Sequence, residues 1–313
     1  MKKVPFTYFF ELEECGEWHD GEIPKIAKYA LMSLAHHGVR HLVLNHKLLA
    51  LMMQHKGLSY RLKEEVENAG LDFVDAHSIF GTWWNLHIPD AGRRQEMIAT
   101  HMHAMALCAS LGVKTITIHV GNSLSPCITF PPSPWLDAIS KMSYEQHLDY
   151  ATDALKVLVP YAESLGITIC IENARYVCTT PEALLELKRR FPSEALGFCY
   201  DAGHSNIVRP LYEASDLPSQ RAMAADTSTP LALQILKQML PHIVNCHLHD
   251  NDGVGDLHQI PGEGTLDWNG IASLVKQAPR LQILQSEVLP VRNGVPIPSL
   301  VSTFNNLFGD MME

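Results

Sequence analysis

The feature that most constrains the fold of this sequence is an eightfold alternation of short apolar runs with longer amphipathic segments. Most of the apolar runs show no polar face, which is typical of strands buried on both sides of a parallel sheet. The predicted strands are 4–10, 41–45, 71–77, 113–120, 167–173, 196–201, 243–249 and 281–288. Because no linker interrupts the alternation, residues 1–313 are predicted to form one domain, a single (β/α)8 TIM barrel of the α/β class.

The segments between the predicted strands have helical spacing. The clearest helices are predicted at 23–35, 93–111, 144–165, 181–191, 231–240 and 268–277, with a second helix within 48–69 and a last one near 299–308. Gly112 and Gly166 follow two of them, where glycine commonly ends a helix. The alternative is an open, doubly wound sheet, but no Gly-x-Gly-x-x-Gly motif follows an early strand, which favours the closed barrel.

Composition narrows the class of protein. No stretch approaches the ~18 consecutive apolar residues of a membrane span, and no signal-peptide pattern is present, so a soluble cytoplasmic protein is predicted. The seven cysteines include no Cys-x-x-Cys pair, which gives a thiolate zinc site little support; Cys170, Cys199 and Cys246 are interpreted as core residues. The net charge of −10 argues against a broad nucleic-acid surface.

Acidic and histidine side chains stand at the carboxyl ends of six consecutive predicted strands, the third to the eighth. In a barrel these ends meet at one rim, where active sites lie. A buried carboxylate is costly unless it is paired, and few Lys or Arg residues lie near these ends, so a divalent cation is the simplest partner. Mixed carboxylate and imidazole ligands suit zinc, manganese or iron. The nine candidate ligands are His77, His119, Glu172, Asp201, His204, His247, Asp256, His258 and Glu287.

Each candidate also has an ordinary structural interpretation. A single His77 or His119 is commonly a hydrogen-bonded structural histidine, Asp201 alone could cap a helix, and Asp256 could stabilise a turn. The metal hypothesis therefore depends on nine candidates converging on one barrel mouth. Segment 121–141, rich in Pro and aromatic residues, is interpreted as a lid or a subunit contact.

The order of these ligands, with Cys-Tyr-Asp-Ala-Gly-His at 199–204 and Cys-His-Leu-His-Asp-Asn-Asp-Gly at 246–253, resembles the xylose-isomerase-like barrel superfamily. That group contains sugar isomerases, epimerases and dehydratases together with type IV apurinic endonucleases. The epimerase branch implies one manganese-type ion at Glu172, Asp201, His247 and Glu287, with the two glutamates as catalytic acid and base. The endonuclease branch implies three zinc ions and all nine ligands, so the expected cofactor is one to three divalent ions, Mn or Zn.

The favoured function is a metal-dependent isomerase or epimerase of a sugar or sugar phosphate, acting by proton transfer through an enediolate intermediate. His204, Trp84 and Arg175 are the predicted substrate-binding residues. The alternatives are a zinc-dependent type IV apurinic endonuclease, a related sugar dehydratase or lyase, and a barrel that binds a ligand without catalysis. Segment 11–22 holds six carboxylates and no Lys or Arg, and segment 45–47 lacks an arginine, which argues against nucleic acid as the partner. Relatives of this kind form dimers in many cases, so a homo-oligomer is also expected.

Overall fold

The computed structural model describes residues 3–18, 22–55, 57–81, 83–121, 138–139 and 141–313. Each of the eight predicted strands is confirmed, and none is longer than the apolar run that predicts it. The strands are β1 (Phe6–Tyr8), β2 (His41–Leu44), β3 (Asp72–His77), β4 (Thr115–Ile118), β5 (Thr168–Glu172), β6 (Leu196–Asp201), β7 (Ile243–Leu248) and β8 (Leu284–Ser286). Segment 121–141, the predicted lid or subunit contact, lies mostly outside the described residues, because 122–137 and 140 are not among them.

The eight strands pair in parallel and in chain order, and β1 closes the sheet by pairing with both β2 and β8. Thr7 on β1 stands opposite His41 on one side and Gln285 on the other. The prediction of a closed (β/α)8 barrel is therefore confirmed, and the open sheet is excluded. Closure in this order places the carboxyl ends of all eight strands on one rim.

Helices surround the barrel and connect its strands. All six clearly predicted helices are present, with ends within two residues of the prediction. The described helices are α1 (Lys25–His36), α2 (His46–Gln54), α3 (Leu58–Asn68), α4 (Ala91–Leu111), α5 (Tyr144–Leu165), α6 (Pro181–Arg190), α7 (Ala202–Ile207), α8 (Arg209–Glu213), α9 (Pro218–Ala225), α10 (Leu231–Met239), α11 (Trp268–Val275), α12 (Pro290–Asn293) and α13 (Ile297–Phe308). Among the described residues, no helix combines the length and apolarity that a membrane crossing requires.

The second predicted helix, within 48–69, is two helices in the structure, α2 and α3. Gly57 precedes α3 with a φ of 81°, a left-handed conformation that glycine adopts at little cost and that no helix can continue through. Asn45 caps α2 by accepting a hydrogen bond from the Leu48 N–H at 2.9 Å. The connection between β2 and β3 therefore contains two short helices instead of one long helix.

The lower part of the barrel interior is polar. Asp75 on β3 is fully buried and accepts hydrogen bonds from the hydroxyl of Thr115 at 2.5 Å and the amide of Asn245 at 2.9 Å. Burial raises the pKa of Asp75 to about 6, against the opposing effect of these hydrogen bonds. Above this polar layer, the strand ends carry the candidate ligands. The predicted core positions of Cys170, Cys199 and Cys246 are confirmed, since all three are buried.

Candidate metal centre

Glu172, the last residue of β5, lies at the centre of the strand-end cluster. Its Oε1 is 2.6 Å from Nδ1 of His247, and its Oε2 is 2.5 Å from Nε2 of His119 and 3.8 Å from Nε2 of His77. Burial alone would raise the pKa of Glu172, but His247 and His119 outweigh it and hold that pKa well below its usual range. Glu172 is therefore an ionised carboxylate almost completely shielded from solvent.

Asp201 and Glu287 complete a group of four around His247. Nδ1 of His247 is 3.4 Å from Oε2 of Glu287 and 3.9 Å from Oδ2 of Asp201, and one ligand atom from each of the four residues lies within 4.8 Å of the others. The local fold fixes Asp201 because it ends β6 and caps α7, where its Oδ1 accepts the His204 N–H at 2.6 Å. Asp201 therefore caps a helix and also lies where the sequence predicts a metal ligand.

Backbone carbonyls orient three of the surrounding imidazoles. A carbonyl can only accept a hydrogen bond, so Nδ1 must donate in each pair: His77 to Ser78 at 2.8 Å, His204 to Asn173 at 3.0 Å, and His258 to Glu287 at 2.8 Å. Each ring then turns Nε2 towards the cluster, where that nitrogen can bind either a proton or a metal. This is the arrangement by which outer hydrogen bonds orient histidine ligands.

Asp256 links the last two histidines to the cluster. Its Oδ2 is 3.3 Å from Nε2 of His204, and its Oδ1 is 3.6 Å from Nε2 of His258. Burial alone would lower the pKa of His258, but Asp256 and Glu287 raise it to about 9. All nine predicted ligands therefore lie in one continuous network of carboxylates and imidazoles.

Several buried polar atoms in this network lack hydrogen-bond partners among the described residues and are placed where a cation could bind them. Within the described part of the chain, Nε2 of His119, Oε2 of Glu172 and Oδ1 of Asp256 are buried and make no hydrogen bond. The His119 and Glu172 atoms approach to 2.5 Å without hydrogen-bonding geometry. Unsatisfied, converging nitrogen and oxygen donors are what a divalent metal requires.

His249 belongs to this site but is absent from the nine predicted ligands. Its Nε2 lies 3.2 Å from both carboxylate oxygens of Asp201 and 3.7 Å from Oε2 of Glu287, and its ring stacks on His258 with centroids 4.0 Å apart. A signal for it was present, since His249 stands two residues after His247, and side chains at that spacing on a strand share a face.

A cavity opens directly above the cluster. Two phenylalanines, Phe9 and Phe80, line it together with Ala174 and Leu289, so its walls are partly apolar. The ionisable side chains that line it are His46, His77, His119, Glu172, Arg175, His204, Asp256, His258 and Glu287. A small concave site with an apolar wall and a convergent polar floor is a typical binding site for a small molecule.

Comparison with known proteins agrees with this architecture. The family model described as xylose isomerase-like TIM barrel matches residues 44–282, more than half of the chain. The chain belongs to the xylose isomerase-like TIM-barrel family.

Within this family, similarity in sequence is low and similarity in structure is extensive. An uncharacterised protein of Methanocaldococcus jannaschii is 24% identical over 198 residues, which cover 62% of this chain and 57% of that protein. The D-psicose 3-epimerase of Clostridium cellulolyticum H10, crystallised with D-tagatose, superposes with a TM-score of 0.69 at 13% identity, covering 99% of this chain and 100% of its own. The IolI protein with a bound zinc atom has a TM-score of 0.67 at 17% identity, with 99% and 100% coverage.

The predicted substrate-binding residues occupy different positions in this xylose isomerase-like barrel. His204 and Arg175 line the cavity, and a guanidinium nitrogen of Arg175 is 3.8 Å from Oδ2 of Asp256. Trp84 stacks under the guanidinium of Arg93, which lies 4.5 Å from its ring centroid, and its carbonyl accepts a hydrogen bond from His101. A substrate-binding role for each of the three stays a prediction.

Acidic side chains stand beside the mouth of the barrel. Glu11, Glu13 and Glu14 line a surface hollow next to the cavity, together with Lys47 and Arg292. Glu14 pairs with Lys47 at 2.6 Å, and Glu11 accepts the N–H groups of Val291 and Arg292 at 3.0 and 3.1 Å, which fixes the start of α12. The described part of the 11–22 segment therefore contributes negative charge to this rim.

Proposed function

We propose that this protein is a metal-dependent isomerase or epimerase that acts on a small sugar or sugar phosphate by proton transfer. The observation that carries the proposal is the buried group of Glu172, Asp201, His247 and Glu287, whose ligand atoms lie within 4.8 Å of one another beneath a small cavity. Structural neighbours named as ketose epimerases share the barrel over nearly its full length, which supports this substrate class.

The donor set suits the cofactor. Carboxylate and imidazole ligands favour manganese or zinc over calcium, and the unsatisfied donors at His119 and Glu172 support a cation beside them. One to three such ions are proposed. A divalent metal bound here would supply Lewis acidity, which stabilises negative charge that develops on a carbonyl oxygen. The zinc reported in the IolI neighbour supports a metal in this type of barrel.

Proton transfer is assigned to Glu172 and Glu287. Both carboxylates line the cavity, and both lie close to Nδ1 of His247, at 2.6 and 3.4 Å. Glu172, the ionised carboxylate, would remove the proton next to the substrate carbonyl. Glu287, entering the step as the protonated acid, would donate its own proton to the opposite face or to the adjacent carbon, so the two glutamates exchange protonation states. In the same proposal, His204 and Arg175, which line the cavity, bind substrate hydroxyls or a phosphate. Trp84 stays a predicted substrate-binding residue.

The test is solvent proton exchange. Manganese-loaded protein is incubated with a panel of ketohexoses in deuterated water, and deuterium next to the carbonyl is measured by NMR. We expect the wild-type protein to incorporate deuterium and Glu287→Gln to lose this activity by about 100-fold or more, since it loses a proton-transfer group. Metal content is measured in parallel because Glu287 is also a proposed ligand.

Glu263→Gln is the matched control, because Glu263 is an exposed glutamate in the loop after β7. It should exchange protons at the wild-type rate. Exchange that persists in Glu287→Gln would refute the assignment of this glutamate. A wild-type protein that exchanges no sugar in this panel or in a matching panel of ketose phosphates would refute the proposed function.

A zinc-dependent phosphodiesterase is the second candidate, favoured by one observation. His77, His119, His204, Asp256 and His258 all join the network, and this larger ligand set suits several zinc ions. The acidic rim of Glu11, Glu13 and Glu14 is unfavourable for a DNA backbone. Incision of a duplex with an abasic site, lost in Glu172→Gln, would favour this candidate; no incision is expected.

A further inference from the structure

A second group of metal-binding side chains lies outside the strand-end network. His87 follows β3, His147 is in the first turn of α5, and Cys178 is in the 3-10 turn Val177–Thr179 after β5. All three are buried, and their donor atoms lie within 4.8 Å of one another. None of the three takes part in the proposed proton transfer.

The spacing of these donor atoms is that of a metal coordination sphere. Nδ1 of His147 is 3.1 Å from Nδ1 of His87, which is 3.5 Å from Sγ of Cys178. With Zn–N near 2.05 Å and Zn–S near 2.3 Å, tetrahedral zinc separates two nitrogens by about 3.3 Å and nitrogen from sulfur by about 3.5 Å. The two distances from Nδ1 of His87 therefore match those between ligands of one zinc ion, and the third pair of donors lies within 4.8 Å.

The surroundings of the three donors agree with this geometry. The hydroxyl of Tyr176 lies 3.3 Å from Nε2 of His147, so it can accept the N–H of that ring while Nδ1 faces the other donors. Gly121 keeps the space beside them open, since a Cβ at this position would lie 2.5 Å from Sγ of Cys178 and 2.6 Å from Nδ1 of His87.

We propose that His87, His147 and Cys178 form a second metal site, which binds one zinc-class ion. A hydrogen bond between the two histidines would use only one of these contacts, whereas a metal uses all three donors at once. Cysteine sulfur with two imidazoles is a donor set that selects zinc over magnesium, calcium or manganese.

The position of this site gives it a structural role. The His87 N–H donates to the carbonyl of Val120 at 3.1 Å, and the neighbouring Leu86 N–H donates to the carbonyl of His119 at 3.3 Å. An ion here would tie together the segments that follow β3 and β5 and the first turn of α5, next to the His119 ligand of the main centre.

The test uses the sulfur ligand, because the nine proposed ligands of the main centre offer only nitrogen and oxygen. Full-length protein is loaded with cobalt, and the thiolate-to-cobalt charge-transfer absorption in the near ultraviolet is measured. We expect the band in the wild-type protein, its complete loss in Cys178→Ser, and a loss of about one metal equivalent per chain. Cys199→Ser is the matched control, since Cys199 is a buried cysteine within β6, near His247; it should keep the band.

A folded, metal-loaded wild-type protein without the band, or a band that persists in Cys178→Ser, would overturn the proposal and indicate a plain hydrogen-bonded histidine pair. Should Cys178→Ser fail to fold, X-ray absorption of the zinc-loaded wild-type protein decides instead. A sulfur contribution at about 2.3 Å is expected. It averages at most half a sulfur per zinc, because the main centre also binds the ion through nitrogen and oxygen. A shell of nitrogen and oxygen alone would refute the site. Neither outcome bears on proton exchange, so this test is independent of the proposed function.

Discussion

His101 is a buried imidazole between α4 and the segment that follows β3. Its Nε2 donates to the Trp84 carbonyl at 2.8 Å, and its Nδ1 lies 2.8 Å from the hydroxyl of Ser78. Burial lowers the pKa of His101 to about 4 from its ordinary 6.5. The folded chain therefore keeps this ring neutral at a pH where the unfolded chain protonates it.

This difference predicts a pH-dependent stability. Because the folded pKa is the lower one, the contribution of His101 is complete above pH 6.5 and is lost as the pH falls towards 4, by up to on the order of 3 kcal/mol. Urea unfolding measures the free energy of unfolding across this pH range. In His101→Gln this free energy should fall less steeply with decreasing pH than in the wild-type protein, and equal slopes would contradict a lowered pKa for His101.

At this scale, the carboxylates of the site were predictable and some of its histidines were not. Glu172 ends an apolar strand, so its need for a partner is evident from its neighbours in the chain. His249 is absent from the predicted ligands, and its one signal in the sequence is its spacing from His247. His87 and Cys178 have no neighbours in sequence that suggest a ligand. A set of ligands gathered from three distant segments becomes visible only when the chain is folded.

The loop after β7 depends on one carboxylate. Asp250 is buried and accepts four hydrogen bonds, from the backbone N–H groups of Asn251, Gly262 and Leu266 at 2.9, 2.9 and 3.3 Å and from the indole of Trp268 at 2.7 Å. This loop carries Asp256 and His258 to the candidate metal centre. Asp250 therefore positions two proposed ligands without contacting the cavity.

We expect Asp250→Ala to lower the free energy of unfolding by about 3 kcal/mol, because it leaves buried donors unpaired. It should also weaken metal binding by about 10-fold or more, as loss of an outer-shell contact does. Urea unfolding and a metal titration measure the two effects. Asp252→Ala is the control, since the exposed Asp252 accepts the N–H groups of Val254 and Gly255 in the same loop. A change as large as that of Asp250→Ala would refute the special role of Asp250.

The long helices could be predicted from the sequence, whereas the short helices could not. Helix α5 runs over the predicted residues because Ser143 and Gln146 form a capping box at its start and Gly166, with a φ of 67°, ends it. By contrast, α8 and α12 are too short to show helical periodicity. The start of α12 depends on Glu11, a residue nearly the whole chain away, so no local pattern could predict it.

For the whole molecule, metal binding and stability should be coupled. The proposed ligands come from six strands and their loops, so only the closed barrel brings them together, and a metal that binds only the folded state stabilises it. We expect chelation to lower the melting temperature by on the order of 10 °C, if the free metal concentration before chelation is about 1,000 times the Kd. Scanning calorimetry before and after treatment with EDTA measures this.

Manganese or zinc should restore the melting temperature, and magnesium, which prefers oxygen ligands and keeps its waters, should restore less. An unchanged melting temperature after the metal has been removed would contradict the coupling. The expected homo-oligomer stays a prediction at this scale, and light scattering on the metal-loaded protein would test it.

Closure of the barrel also has a consequence for how the protein is made. The hydroxyl of Thr7 on β1 contacts the carbonyl of Leu284 on β8 across 277 positions of the chain, and Glu287 lies just beyond that contact. During translation, the first seven strands are synthesised before Glu287. Loading of the proposed metal would therefore be a late step in biogenesis, because the ligand set is incomplete until Glu287 has been added.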